Sequence, residues 1–446
     1  MNENIQEIIK PLGIQSLNKM QEDVLASYSN FDELVILSNT GSGKTLAFLL
    51  PLLLHFDKEN THTQAMIIVP SRELALQIDE VFRKFNSGYK VTLCYGGHKR
   101  EIEEQNLLQE PTLIIGTAGR IADHIRRKNI NFFSIETLIL DEYDKNLELG
   151  FTEEISFIVN SLKSVRKKIL SSATIAKEIP DFIKISNPHI INHLVSADDI
   201  AFQKVEVKTL HTKEKDKIND LTSLLCFIGH KPTIVFCNHR DAVERVAKLL
   251  YEKGIQVSYY HGGMEQRERE SELFAFKNGT SNLLITTDLA SRGLDIKGIR
   301  YIIHYHLPAT EDVYTHRNGR TARMDDFGTV VILLSPEENL PTYITEEIEE
   351  IKFAENLPLP TKTEWSTLHV SLGKKDKVNK IDIVGFFGQR AKLKSDEIGL
   401  IEVKDFYAFV AIRKNKVSDV LRLIKDEKLK NKKVKIGNAT AMVRNI

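Results

Sequence analysis

A chain of 446 residues, 42% apolar and 27% charged, is too long for one hydrophobic core and reads as several globular domains. No apolar stretch reaches spanning length, and Met1-Asn2-Glu3-Asn4 opens no leader, so membrane and secreted classes are disfavoured. A formal net charge of zero hides an asymmetry: residues 366–446 carry 19 Lys and Arg against 9 Asp and Glu, so the tail holds +10 and the rest −10. A basic tail on an acidic engine predicts a polyanionic partner, most simply nucleic acid; a lysine-rich solubilising surface is the alternative. Cys94, Cys226 and Cys237 lie far apart without zinc spacing, as in a cytoplasmic protein with reduced thiols.

In chain order, residues 30–200 alternate amphipathic stretches with short apolar runs: Leu34–Leu37, Ala65–Val69, Val91–Cys94, Leu113–Ile115, Leu138–Leu140 and Lys168–Leu170. That rhythm predicts βαβ units around a parallel sheet buried on both faces. A lapse near 196–204 predicts a hinge. The rhythm then restarts from about residue 205 with Thr233–Phe236, Val257–Tyr260, Leu283–Thr286, Tyr301–His304 and Thr329–Leu334. Leu357-Pro358-Leu359-Pro360-Thr361 cannot continue a helix and marks a linker. Beyond it we expect strand 367–372, helix 381–388, strands 398–404 and 407–412, helix 416–425 and strand 433–443. This βαββαβ order is that of an RNA-recognition module.

The first apolar run leads into Ser38-Asn39-Thr40-Gly41-Ser42-Gly43-Lys44-Thr45, and 97 positions after Lys44 comes Asp141-Glu142-Tyr143-Asp144. A glycine loop between strand and helix points backbone N–H groups at phosphate oxygens, where the helix dipole favours negative charge. Lys44 then reaches the β/γ phosphates, the Thr45 hydroxyl holds Mg²⁺, and Asp141 completes the metal site from a second strand end. ATP with Mg²⁺ is the expected ligand. The second set of runs has no such loop, which fits one ATP site served by two α/β domains.

With its other short motifs, the chain resembles a DEAD-box RNA helicase over roughly residues 5–350. The motifs are Gln21, Pro70-Ser71-Arg72-Glu73-Leu74-Ala75, Gly96-Gly97, Thr117-Ala118-Gly119-Arg120, Ser172-Ala173-Thr174, His261 to Arg269, Thr287 to Ile296 and His316 to Arg323. The resemblance implies two tandem RecA-like parallel-sheet domains, 1–199 and 205–355, followed by a small α+β domain. It implies that Gln21 reads adenine and Asp295 reaches ribose. Glu142 would orient the attacking water, and Arg320 and Arg323 would act as arginine fingers once the domains close. Asp144, Ser172, Thr174 and His316 would couple the domains. RNA would meet Arg72, Gly97, Thr117, Gly119 and Arg120 in the first domain, and Arg269, Thr287 and Arg292 in the second. Three departures stand out: Tyr143 replaces the family's alanine, the proline-rich lead-in to Gln21 is absent, and no aromatic precedes Gln21 by about seventeen residues.

Residues 366–446 resemble the DbpA-type RNA-binding domain, through Leu368–Lys377, Ile398–Val403 and Tyr407–Ile412. That implies action on large-subunit ribosomal RNA of the 23S type, or on pre-ribosomal particles, by a monomer with no membrane partner. Two arrangements of the tail are open. Tyr407 and Phe409, with His369 on the partner strand, stack bases from an open sheet face; or the rings pack beneath a terminal segment while Lys374, Lys375, Lys377 and Arg390 grip RNA elsewhere. The function expected is ATP-driven separation of short RNA duplexes. Rivals are an ATP-gated RNA clamp and a DNA helicase of the same superfamily.

Overall fold

The computed structural model describes residues 3–39, 41–97, 99–173, 179–194, 205–288, 296, 298–321, 327–344, 348–354 and 357–439. The expected hinge at 196–204 lies outside them, as do Thr40, Thr174, Arg292, Asp295 and Arg323. Two compact units divide the chain, one of residues 1–202 and the other chiefly of residues 203–446.

The first lobe is a seven-stranded parallel sheet built from β1 (Glu33–Ser38), β2 (Ala65–Val69), β3 (Val91–Cys94), β4 (Leu113–Thr117), β5 (Thr137–Leu140), β6 (Lys167–Ser172) and β7 (His189–His193), in the order β3-β4-β2-β5-β6-β1-β7. Successive strand side chains point to opposite faces. Leu34 and Ile36 therefore enter one core with Ile67, Ile115 and Ile139, while Val35 and Leu37 enter the other with Met66, Ile68 and Leu138. Both faces being covered, the strands read as unbroken apolar runs.

The second unit contains a six-stranded parallel sheet of β8 (Val205–His211), β9 (Thr233–Phe236), β10 (Ser258–Tyr260), β11 (Leu283–Thr286), β12 (Tyr301–His304) and β13 (Gly328–Leu334), ordered β10-β11-β9-β12-β13-β8. The tail follows as an antiparallel sheet of β14 (Trp365–Val370), β15 (Ile398–Val403), β16 (Ala408–Arg413) and, after the short hairpin β17 (Lys428–Leu429) and β18 (Lys432–Lys433), β19 (Ile436–Asn438), ordered β15-β16-β14-β19. Leu368, Val370, Val410 and Ile412 pack under helices Lys380–Arg390 and Val417–Leu423 through Ile383, Phe387 and Val420. The last strand starts at Ile436, later than expected, because Lys433 belongs to the hairpin; residues 440–443 of the expected strand lie outside the described residues.

The linker is seated rather than loose. Leu359 lies against Gly254, Thr361 hydrogen-bonds His230, and Thr363 Oγ1 donates to Thr280 O at 2.7 Å.

Candidate functional site

Strand order decides which loops meet. In the first lobe β1 pairs with β6, with Leu37 opposite Ser172, and β6 pairs with β5. The glycine loop after β1, Asp141-Glu142 after β5 and Ser172 at the end of β6 thus share one carboxyl edge, where α/β sheets bind ligands. Gly41 and Gly43 take φ of 82° and 90°, left-handed values that suit glycine. A Cβ at Gly43 would stand 2.4 Å from Gln21 Nε2. Gln21 is wired into the loop: its Nε2 donates to Gly43 O at 3.3 Å and its Oε1 accepts from Asn18 N at 3.0 Å. Asn18 Nδ2 also donates to Ser42 O at 2.8 Å.

Lys44 is buried, and its ammonium donates to Ser38 O and, at 3.0 Å, to Asn39 O. Among the described residues Ser42 Oγ, shut from solvent, has no hydrogen-bond partner, a hydroxyl suited to a phosphate oxygen. Asp141 is 3% exposed. It accepts from Ser171 Oγ and, at 3.1 Å, from Glu142 N. Burial raises its pKa above the usual carboxylate range, against the pull of the Ser171 hydroxyl and the Lys44 ammonium. Glu142 sits at φ 46°, a strained conformation for a side-chain-bearing residue. Asn146 Nδ2 pins the bend by donating to Asp141 O at 3.1 Å. Ser171 and Asn146 were not foreseen as site residues. Tyr143 is 2% exposed and belongs to the core beneath the loop.

The other half of the same edge gathers the expected RNA residues. Strands β3, β4 and β2 are neighbours; Gly96-Gly97 follows β3, Thr117 to Arg120 follows β4, and Arg72 follows β2. A surface hollow of about 590 Å³ is lined by Gly96, Lys99, Arg100, Thr117, Gly119 and Arg120, with the carboxylates Glu101 and Asp123 among them. The Arg72 guanidinium lies 4.7 Å from the ring centre of Tyr95. Beneath the hollow a hub appears that short motifs do not reveal. Glu103, 1% exposed, accepts from Tyr95 N at 2.9 Å and from His124 Nε2 at 2.6 Å, and lies 3.5 Å from Arg120 Nη1. With Cys94 these residues form a cluster of metal-ligand types. Its hydrogen bonds close within the protein, Asn129 Nδ2 meeting His124 Nδ1 at 3.1 Å, and the Arg120 cation stands beside it. It reads as a brace between two of the motifs expected to meet RNA.

In the second lobe, Arg269 on the helix Gln266–Lys277 follows β10, and Thr287 follows the neighbouring β11. His316 and Arg320 are 3% and 4% exposed. Between them lies Arg317, a fully buried residue that sequence reasoning gave no role. It donates to Asp288 Oδ1 at 2.5 Å, Asp288 Oδ2 at 3.1 Å, Asn238 Oδ1 at 2.8 Å and His306 O at 2.9 Å. One guanidinium thus ties the ends of β9, β11 and β12 together.

The tail requires a correction. Phe409 is 1% exposed and stacks on Phe274 of the Gln266–Lys277 helix, ring centres 5.5 Å apart. It has no open face for a base here. The ring-bearing sheet face is packed, as the second arrangement held; among the described residues this helix covers it, and residues 440–446 lie outside them. Lys374, Lys375 and Lys377 are exposed. Their turn is fixed, because Lys374 N and Lys375 N each donate at 2.8 Å, to Lys404 O and Asp405 O. A Cβ on Gly373 would come within 2.3 Å of Lys404 O, so the turn demands glycine.

Two parallel sheets in tandem, the first alone carrying a phosphate loop with an Asp-Glu pair beside it, define a helicase-type ATPase core. The DEAD/DEAH box helicase model matches residues 18–182, the helicase conserved C-terminal domain 216–325, and the DbpA RNA binding domain 367–437. The chain is 30% identical over 438 residues to the ATP-dependent RNA helicase DbpA of Escherichia coli (strain K12), spanning 96% of this chain and 95% of that one. With the Bacillus subtilis (strain 168) protein of the same name, identity is 28% over 471 residues and 98% of each chain. Among solved structures, S. cerevisiae Dbp5 bound to RNA and ADP BeF3 is similar at a TM-score of 0.65 and 26% identity, over 76% of this chain and 88% of that one. The chain belongs to the DEAD/DEAH box helicase family. Its two parallel sheets are RecA-like, and it is an ATP-dependent RNA helicase whose ATPase responds to RNA.

Proposed function

We propose that this helicase separates short RNA duplexes during assembly of the large ribosomal subunit, its tail holding 23S-type RNA while the core works nearby. The observation that carries this is the division of one sheet edge: the glycine loop and Asp141-Glu142 stand at β5-β6-β1, and a hollow that includes Lys99, Arg100 and Arg120 beside Glu101 and Asp123 stands at β3-β4. Ligands on one rigid sheet edge are suited to energetic linkage, each tightening the other.

Thr45 and Asp141 would hold Mg²⁺, whose charge would favour the ionised form of a carboxylate that burial disfavours. The loop from Ser38 to Thr45 would take the phosphates, Gln21 the adenine and Asp295 the ribose. Glu142 would orient the attacking water, and Arg320 and Arg323 would neutralise charge on the transferring phosphoryl. Asp144, Ser172, Thr174 and His316 would couple hydrolysis to RNA. Arg72, Gly97, Thr117, Gly119, Arg120, Arg269, Thr287 and Arg292 would meet the RNA backbone, and Lys374, Lys375 and Lys377 would anchor the tail's RNA. We take it for a cytoplasmic monomer, and the unpaired Cys94, Cys226 and Cys237 support the first part of that reading.

A displacement assay on a short RNA duplex tests this reading. ATP-dependent strand release, faster when the duplex adjoins a ribosomal RNA fragment, is expected. Hydrolysis without release would instead identify an RNA clamp.

A further inference from the structure

The helix Gln266–Lys277 carries Arg269, the RNA contact proposed above, on its first turns. Its first six residues, Gln266 to Ser271, include no apolar side chain; Leu273, Phe274, Ala275 and Phe276 come only later. Apolar burial of the helix therefore falls in its far half, at Phe274, Ala275 and Phe276; beyond the anchor of Met264 just before it, polar contacts place the half that bears Arg269.

The tail sheet supplies those contacts along one stripe. Arg267 Nη2 lies 2.8 Å from His369 Nε2, and the Tyr407 hydroxyl donates to Glu270 Oε2 at 2.9 Å. Further along, Phe274 stacks on Phe409, and Asn278 Nδ2 donates to Thr367 Oγ1 at 2.9 Å. His369 is able to accept from Arg267 because burial, helped by that arginine, lowers its pKa to about 4. Positions 267, 270, 274 and 278 share one helix face.

We infer that the tail sheet is a positioning clamp for Arg269, with His369 and Tyr407 acting through Arg267 and Glu270 on the same turns. The core's grip on any RNA then depends on a domain that need not touch that RNA. This rests on the RNA reading of Arg269.

The test uses the full chain and a single-stranded RNA with no ribosomal sequence, measuring ATPase against RNA concentration. The double variant His369→Ala/Tyr407→Phe should raise the half-stimulating RNA concentration about five- to tenfold, the loss expected when a charge-assisted hydrogen bond is misplaced. Turnover at saturating RNA should stay within about twofold, since no group at the phosphate loop changes. Arg269→Ala should give a similar rise, and the triple variant no further one, because the changes act through one residue. An unchanged half-stimulating concentration in the double variant, or shifts that multiply in the triple, overturns the clamp. No effect of Arg269→Ala overturns the RNA reading beneath it. The chain's one tryptophan, Trp365, packs against Gly279, so its emission tells the two failures apart: it shifts only where the tail has left the helix.

Discussion

Tyr143 is core first and site second. Its ring packs with Leu140, Ile155 and Ile183, and burial, with Asp144 beside it, pushes the phenol up to about 12. Tyr143→Ala should therefore destabilise the first lobe by about 3–5 kcal/mol, as aromatic-to-alanine changes in cores do. ATPase per folded molecule should stay within about tenfold, because no charge facing phosphate changes. Denaturant unfolding paired with turnover separates the effects; a loss beyond about a hundredfold at full folding would give the ring a positioning role. Glu142→Gln should do the reverse, keeping fold and ATP binding while turnover falls by roughly two orders of magnitude or more. Glu103 invites a graded test. Glu103→Gln keeps one acceptor oxygen, for Tyr95 N or for His124 Nε2, and turns an amide N–H on the other, whereas Glu103→Ala strands both, a cost of about 1–3 kcal/mol for each buried group. Thermal melting and the half-stimulating RNA concentration should both move more for alanine than for glutamine. Residues that face a ligand were legible because ligand chemistry fixes their spacing. Ser171, Glu103, His124 and Arg317 serve other side chains, and Glu103 and His124, 21 positions apart, meet only through the fold.

At the scale of elements, apolar runs located β1–β6 and β9–β13, the edge strands β3 and β10 included, but not the edge strands β7 and β8. In β7 only Ile191 is buried, and β8 alternates with the charged residues Glu206 and Lys208, so neither shows the run that two covered faces produce. The Gln266–Lys277 helix was illegible for a related reason: it lies between its own lobe and the tail, and no single apolar stripe describes it. Its inner side gives a pH prediction. Glu272 is buried, and desolvation raises its pKa from 4.5 to about 7. The folded state thus favours the neutral acid, a contribution complete below pH 4.5 and lost as pH rises through 7. His304 works the other way. Burial, with Arg317 adjacent, lowers its pKa from 6.5 to about 3, so its contribution is present above pH 6.5 and lost as pH falls. Glu272→Gln removes only the first dependence. Between pH 5 and pH 8 the stability of the variant should rise by roughly 2–3 kcal/mol relative to the parent. Denaturant midpoints at the two pH values measure it, and parallel changes in both proteins would rule out a neutral Glu272.

For the whole molecule, charge foretold a tail with a job of its own, while its attachment could not be read from composition. The proline linker implied a tethered module. Yet Leu359 and Thr363 are seated on the second lobe, and Phe274, 1% exposed, owes part of its cover to Phe409. Deleting residues 361–446 should therefore leave an ATPase that generic RNA still stimulates, at a lower melting temperature and with selectivity for one RNA lost. The tail's own hold on RNA should be chiefly electrostatic, given its charge of +10. Lys374 and Lys375 are exposed on a turn whose backbone is fixed by Lys404 O and Asp405 O, so replacing both with alanine changes charge without disturbing the sheet. Each lysine–phosphate pair removed should flatten the slope of log affinity against log salt by about 0.7 on single strands and 0.9 on duplex. The double variant should thus lose roughly 1.4 to 1.8 from the slope for ribosomal RNA. Its ATPase on short generic RNA should be unchanged, because the clamp residues His369, Tyr407 and Phe409 remain. Fluorescence anisotropy across a salt series reads the slope directly. A slope equal to the parent's would remove these lysines from the RNA interface and place the anchor elsewhere on the tail.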